Sequence, residues 1–138
     1  MRVVVTGGAG FIGSALVRGL VAEARAESII VVDNLSTGKR RNLESVNGPV
    51  EFHQVDIRDG AALDPLFRGA DVVYHLAAIP SVPRSIREPE MSHAVNVDGT
   101  FQALLAAKRV GRPAQAMADE LPAPALAGRR VFFTPGHA

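Results

Sequence analysis

Glycines at positions 7, 10 and 13 follow directly on Arg2-Val3-Val4-Val5-Thr6 and lead into a helical pattern. The chemistry open to such a loop is the grip of phosphate by backbone. One glycine lets the chain turn sharply, one lets a pyrophosphate approach, and one lets the helix lie close on the strand. The free N–H groups of the first helical turn and the helix dipole then face the anion. Twenty residues past Gly13, Asp33 closes a second apolar run, Ser28-Ile29-Ile30-Val31-Val32. In a βαβ unit the second strand ends beside the first. A carboxylate there accepts hydrogen bonds from the 2′ and 3′ hydroxyls of a ribose and repels a 2′-phosphate. The two features together indicate a dinucleotide, NAD rather than NADP. Lys39, Arg40 and Arg41 read as a solvated basic loop, the other reading being cations that would accept a 2′-phosphate.

Other reactive side chains are sparse. The chain has no cysteine, which excludes disulfides, thiolate chemistry and cysteine zinc sites. Histidines at 53, 75, 93 and 137 show no paired ligand spacing, so no metal site is expected. The only tyrosine, Tyr74, sits in an apolar run and reads as core; the only lysines are Lys39 and Lys108. A length of 138 residues suits one domain, and a net charge of +1 without a long basic run gives no reason to expect nucleic acid. No stretch approaches the ~18 apolar residues that span a membrane. The first apolar run stops at Thr6, unlike a signal peptide. A cytoplasmic location is expected.

These residues need elements to hold them. Residues 1–6 form a buried strand, and a helix over about 11–25 sets Phe11, Ile12, Ala15, Leu16, Gly19 and Leu20 on one face. Residues 28–33 make the second strand, and the alternation over 50–56 makes a third. Asp59 is placed to cap a short helix that Pro65 keeps irregular. Residues 70–76 make a fourth strand, followed by Ala77 and Ala78, small enough for a flat ring or ribose to lie against the backbone. Residues 79–88, with Pro80 and Pro83, read as a loop. A helix over 89–109 starts at Pro89, is carried by Val97, Phe101, Leu104, Leu105 and Lys108, and ends at Gly111. Right-handed crossovers then impose a parallel sheet in the order 3-2-1-4, a Rossmann-type doubly wound α/β fold. The expected division is a dinucleotide-binding domain over 1–111 and a Pro/Ala-rich tail over 112–138. Within that tail, residues 129–134 read as a fifth strand that would cover the bare edge of strand four. The rival account is that the stretch after Arg109 was never selected as this fold, as after a frameshift or truncation.

Five blocks occur in order: Thr6-Gly7-Gly8-Ala9-Gly10-Phe11-Ile12-Gly13, Asp33-Asn34-Leu35-Ser36-Thr37-Gly38, Asp56-Ile57-Arg58-Asp59, His75-Leu76-Ala77-Ala78 and Asn96-Val97-Asp98-Gly99-Thr100. Together they resemble the extended short-chain dehydrogenase/reductase superfamily, the NAD-dependent epimerase/dehydratases, over about residues 1–110. Ser81-Val82-Pro83-Arg84-Ser85 looks most like its UDP-glucose 4-epimerase branch. The resemblance implies a tightly held NAD, with Gly7, Gly10, Phe11 and Ile12 at the pyrophosphate and Asp33, Asn34 and Ser36 at the adenosine ribose. It places Asp56 and Ile57 at the adenine and Leu76, Ala77 and Ala78 near the nicotinamide half. Asn96 becomes a structural helix residue near the cofactor. Ser81, Arg84 and Ser85 would border the pocket of a nucleotide-sugar substrate.

The implied reaction is transient oxidation at sugar C4 by NAD and re-reduction on the opposite face. It uses a tyrosine and a lysine four residues later. This sequence has no such pair: four residues past Tyr74 stands Ala78. A phenol activated by a neighbouring cation is the base this reaction needs, so independent turnover is not expected. The family pairs subunits through two helices each, of which only the one over 89–109 is here, so that interface is incomplete. Three other readings stay open: a nucleotide-sugar dehydratase or decarboxylase relative, a non-catalytic NAD-binding module, and a gene remnant.

Overall fold

A computed structural model describes residues 1–110 and 130–133. Expectations for the rest of the tail, including His137, lie outside the described residues. Five strands form one parallel sheet in the order β3-β2-β1-β4-β5: β1 Arg2–Thr6, β2 Ser28–Val32, β3 Val50–His53, β4 Val72–His75 and β5 Arg130–Phe133. The order 3-2-1-4 is the one the crossover rule imposes. The fifth strand lies in the sheet, with Val72 opposite Arg130 and His75 opposite Phe133.

The central strands β1 and β2 are short runs of β-branched residues because both faces are covered. Alternate side chains enter two cores. Val3, Val5, Ile29 and Val31 pack with Val17 and Leu20 of α1, Phe11–Ala22. Val4, Ile30, Val32 and Val73 pack on the other face with Leu63 and Phe67 of α2, Gly60–Phe67, and with Ala103 and Ala106 of α5, Thr100–Val110. Asp59 caps α2, its Oδ1 accepting the Ala62 N–H at 3.1 Å, and Pro65 stands inside that helix. An ion pair between Arg109 and Asp64, 2.9 Å, ties α5 to α2.

Several expectations change. Helix α1 ends at Ala22, and Ala24 has φ +50°. Its buried face is Gly13, Ser14, Val17 and Leu20, whereas Phe11, Ile12, Ala15 and Gly19 are exposed. Strand β3 stops at His53, short of the expected Asp56. The expected loop over 79–88 contains a helix, α3, Val82–Arg87, because the Ser81 hydroxyl accepts the Arg84 N–H at 3.3 Å and Pro83 sits in the first turn, where no N–H is needed. The helix from Pro89 is present, as α4, Pro89–His93, a π-helical stretch, Ala94–Gly99, and α5 without a break. Its large apolar residues Val97, Phe101 and Leu104 face outward, while Val95, Gly99, Ala103 and Ala106 are buried. Small residues let the helix lie close to the sheet, so they occupy the inner face.

Candidate functional site: a cleft at the carboxyl ends of the strands

The chain leaves the sheet at Thr6, Val32 and His75, and the loops that follow enclose a cleft of about 260 Å³. On one side is the glycine loop. Gly7 has φ +70°, and a Cβ there would meet the Ala77 backbone N at 2.6 Å. A Cβ on Gly13 would lie 2.2 Å from the Gly7 carbonyl oxygen. These two glycines are demanded by the protein's own packing. Gly10 differs: its Cβ would meet only the Gly7 oxygen, at 3.2 Å. Its open side is on the cleft wall, where a Cβ would take space from a ligand.

Gly10 is the N-cap of α1, with no side-chain acceptor for the first-turn amides and no acidic residue in that turn. The helix therefore presents uncapped N–H groups and a positive dipole end to the cleft. Phe11, 90 % exposed, and Ile12 also line it, which is why these apolar residues are absent from the core.

Asp33 stands directly after β2, only 7 % exposed, beside the glycine loop in the cleft. Its Oδ2 accepts the Ala9 N–H at 2.9 Å and its Oδ1 the Leu35 N–H at 2.8 Å. Leu35 has φ +60°, an uncommon conformation for a residue with a side chain. The Ala9 carbonyl in turn accepts the Lys39 N–H at 3.0 Å and Asn42 Nδ2–H at 2.8 Å. The glycine loop and the loop after β2 are thus held as one wall. The side chains of Lys39, Arg40 and Arg41 are exposed, and the Arg40 guanidinium lies 4.5 Å from the Phe52 ring centre.

A second wall follows β4. Buried His75 joins three elements: its Nδ1 is 2.7 Å from Thr6 Oγ1 and its Nε2 is 3.0 Å from Thr100 Oγ1. Thr6 Oγ1 also accepts the Leu76 and Ala77 N–H groups at 3.2 and 3.4 Å. That network directs the Thr6 hydroxyl proton to Nδ1 and assigns the ring proton to Nε2, donating to Thr100. Burial pushes the His75 pKa down to about 4, so the ring is neutral at pH 7. Leu76, Ala77 and Ala78 then line the cleft. Asn96 pairs with the backbone of Ile79 like a strand neighbour, accepting its N–H at 2.8 Å and donating to its carbonyl at 3.1 Å.

Of the residues singled out from the sequence, Gly7, Gly10, Phe11, Ile12, Gly13, Asp33, Asn34, Ser36, Ile57, Leu76, Ala77 and Ala78 meet in this cleft, and Asp56 does not line it. Asp56 is bound to Arg58 and Asn34, and the Arg58 side chain holds its carboxyl down at about 2. Ser81, Arg84 and Ser85 are also off the wall. Ser81 caps α3, the Ser85 hydroxyl donates to the Val82 carbonyl at 2.8 Å, and Arg84 Nε donates to Glu88 at 3.1 Å. Thr37, Val55, Ile79, Pro80 and Val95 line the cleft and were not singled out beforehand. Their apolar or small side chains carry no chemical signature, though Pro80 adjoins the Ser81 block. Among the described residues no group of three could hold a metal ion, and no helix is long and apolar enough to cross a membrane.

A parallel sheet with helices on both faces, a glycine-floored helix N-terminus and a carboxylate at the next strand end define a dinucleotide-binding protein of Rossmann type. Comparison with known proteins narrows the class. Residues 3–118 match the NAD dependent epimerase/dehydratase family, and the chain belongs to that family. It is 41 % identical over 110 residues to a dTDP-glucose 4,6-dehydratase of Mycolicibacterium smegmatis, covering 79 % of this chain and 33 % of that protein. A dTDP-glucose 4,6-dehydratase from Streptomyces venezuelae, solved with NAD, aligns with TM-score 0.76 and 42 % identity over 80 % of this chain and 37 % of the other. The UDP-glucose 4-epimerase of Thermotoga maritima, solved with UDP-glucose, aligns with TM-score 0.72 and 38 % identity over 80 % and 35 %. The chain spans between a quarter and about a third of the length of the curated relatives it matches.

Proposed function

We propose that this chain forms the NAD-holding part of a nucleotide-sugar-converting enzyme, of the UDP-glucose 4-epimerase type. The observation that carries the reading is the single cleft into which both the uncapped N-terminus of α1 and Asp33 open. The amides of residues 10–13 hold the pyrophosphate, with Gly7 making the turn beside it and Gly10 leaving it room. Asp33, Asn34 and Ser36 hold the adenosine ribose, Val55 and Ile57 flank the purine, and Leu76, Ala77 and Ala78 lie along the nicotinamide half. When bound, NAD supplies a hydride acceptor for oxidation at sugar C4. The chain's own residues bind and orient it, and the walls of Ile57, Leu76, Ile79 and Val95 exclude water from it. Pro80 brings the start of α3 to the cleft edge, so Ser81, Arg84 and Ser85 are assigned to the border of the sugar site.

No Tyr-x-x-x-Lys pair lies in these 138 residues, so the proton transfer belongs to residues outside them and the chain alone binds without turning over. The exposed stripe of Val97, Phe101 and Leu104 is assigned to subunit pairing, as one of the two helices such an interface uses. A dehydratase reading is favoured by the Mycolicibacterium and Streptomyces relatives. Calorimetric titration of the purified chain with NAD tests the cofactor reading. A dissociation constant of about micromolar is expected, and no binding sinks it. Tighter binding of UDP-glucose than of dTDP-glucose to the NAD-loaded chain supports the epimerase reading; the reverse order supports the dehydratase.

A further inference from the structure

The chain enters β3 through Asn47-Gly48-Pro49, and Asn47-Gly48 is the only Asn-Gly step in the sequence. Glycine has no Cβ to shield its backbone nitrogen and turns most freely, so that nitrogen can swing onto the side-chain amide carbon of the residue before it. The structure sets this asparagine apart from the other three. Asn34 donates to Asp56 and accepts the Ser36 N–H, both at 3.0 Å. Asn42 donates to the Ala9 carbonyl at 2.8 Å, and Asn96 is bonded at both ends of its amide to Ile79. Asn47 and Gly48 are both exposed. Among the described residues, neither the Asn47 amide nor the Gly48 N–H has a hydrogen-bond partner. The two Asp-Gly steps, which can cyclise in the same way, are held. Asp59 Oδ1 accepts the Ala62 N–H at 3.1 Å, and Asp98-Gly99 lies within the π-helical stretch Ala94–Gly99. Packing also keeps the glycine in place, because a Cβ on Gly48 would lie 2.6 Å from Val21 Cγ1 of α1.

We infer that Asn47 is a modification site: it cyclises onto Gly48 without an enzyme and opens to isoaspartate and aspartate. The Gly48 nitrogen bonds to Asn47 Cγ, the Cγ–Nδ2 bond breaks, and the amide leaves as ammonia with the proton that the Gly48 nitrogen gives up. Water then opens the succinimide ring. Addition at Cγ restores the main chain and leaves an aspartate. Addition at the main-chain carbonyl carbon of Asn47 leaves the chain running through the side chain, as isoaspartate. Either product adds a negative charge to the turn, and isoaspartate also lengthens the main chain by one carbon. That extra atom falls two residues before the Pro49 carbonyl, which accepts the Ile29 N–H at 2.8 Å and ties this turn to β2. The turn lies before the first residue of β3, whereas the cleft lies at the carboxyl ends of the strands, so the modification stands apart from the reading of the cleft as an NAD site.

Incubation of the full chain at pH 8.5 and 37 °C, followed by tryptic digestion and mass spectrometry, tests the assignment. Fragmentation of the peptide over residues 42–58 locates the exchange of amide for carboxyl, and an isoaspartyl methyltransferase with a labelled methyl donor counts isoaspartate. Asn47 is expected to convert at least about tenfold faster than Asn34, Asn42 or Asn96, whose bonds must open first. Its rate in the folded chain is expected within about tenfold of that in the free 42–58 peptide, because an amide without a partner needs no such opening. Similar rates at all four asparagines, or a folded chain slower than the peptide by more than that margin, overturns the inference. Asn47→Gln is expected to remove most of the methyl incorporation. Incorporation that persists in this variant traces the isoaspartate to Asp59 or Asp98 and overturns the assignment.

Discussion

The carboxylate of Asp33 is bonded to the amide of Ala9, 2.9 Å away, so the residue that closes β2 also braces the glycine loop. Loop geometry and the proposed ribose contact therefore share one side chain. Asp33→Ala removes the acceptor for two amides, those of Ala9 and Leu35. Leaving the buried Ala9 donor unsatisfied costs about 1–3 kcal/mol, and the part-buried Leu35 donor less. The variant should melt at lower temperature, bind NAD more weakly and discriminate less against NADP. Calorimetry with both dinucleotides and a thermal melt check this; unchanged binding of both would place the ribose elsewhere.

Gly10 and Gly13 should respond differently to added side chains. The Cβ of Gly10→Val meets only the Gly7 oxygen from within the protein, at 3.2 Å, so stability should fall by about 1 kcal/mol while dinucleotide binding disappears. Gly13→Ala puts a Cβ 2.2 Å from that same oxygen, against rigid backbone, and should unfold much of the population. Urea titration and NAD binding on the two variants separate the effects. A Gly10 variant that still binds would show that the pyrophosphate lies away from this loop.

The sheet was legible in the sequence because β1 and β2 are short β-branched runs, β3 alternates, β4 is a short apolar run, and right-handed crossovers leave one order for these four. The glycine loop and Asp33 were legible because their spacing follows from a strand, a turn and a helix. Which side each helix turns inward was not. Periodicity reports an apolar stripe without saying what covers it: Phe11 and Ile12 sit at the cleft, and Val97, Phe101 and Leu104 face outward. The inner face of α5 is made of alanines, which a search for large apolar residues passes over. Helix α3 was hidden by Pro83 inside it and Pro80 just before it, although Ser81 was a sound cap. The Asp56–Arg58 pairing is local, but Asn34, which completes the set around that carboxylate, is 22 residues away.

Acid should destabilise the fold through His75. Its pKa is 6.5 in the unfolded chain and is pushed by burial to about 4 in the folded one. The folded state thus favours the neutral ring. Its contribution is complete above pH 6.5 and declines as the pH falls toward 4, because the unfolded chain takes up a proton that the native chain refuses. The slope approaches about 1.4 kcal/mol per pH unit, for a total of about 3 kcal/mol. Asp56, depressed from 3.8 to about 2, adds a second loss below pH 3.8. Urea unfolding at pH 7.5, 5.5 and 4.5 measures the first window. His75→Gln should flatten it, and a parent protein equally stable at pH 7.5 and 4.5 would mean that the imidazole is not sequestered.

The two faces of α5 can be told apart by opposite substitutions. Phe101 is 57 % exposed, so Phe101→Ser should change the stability of the isolated chain by no more than about 0.5 kcal/mol. Ala106 is fully buried against Phe67 and the sheet, where Ala106→Leu adds volume that has nowhere to go and should cost about 1–3 kcal/mol. The apolar stripe alone suggests the opposite, with Phe101 in the core and a small residue outside. Urea midpoints for the pair discriminate directly. A large loss for the Phe101 variant with a tolerated Ala106 variant would mean that the helix is turned by about half a revolution from the structure. The Asn96–Ile79 bonds would then break with it, because they depend on the same rotation.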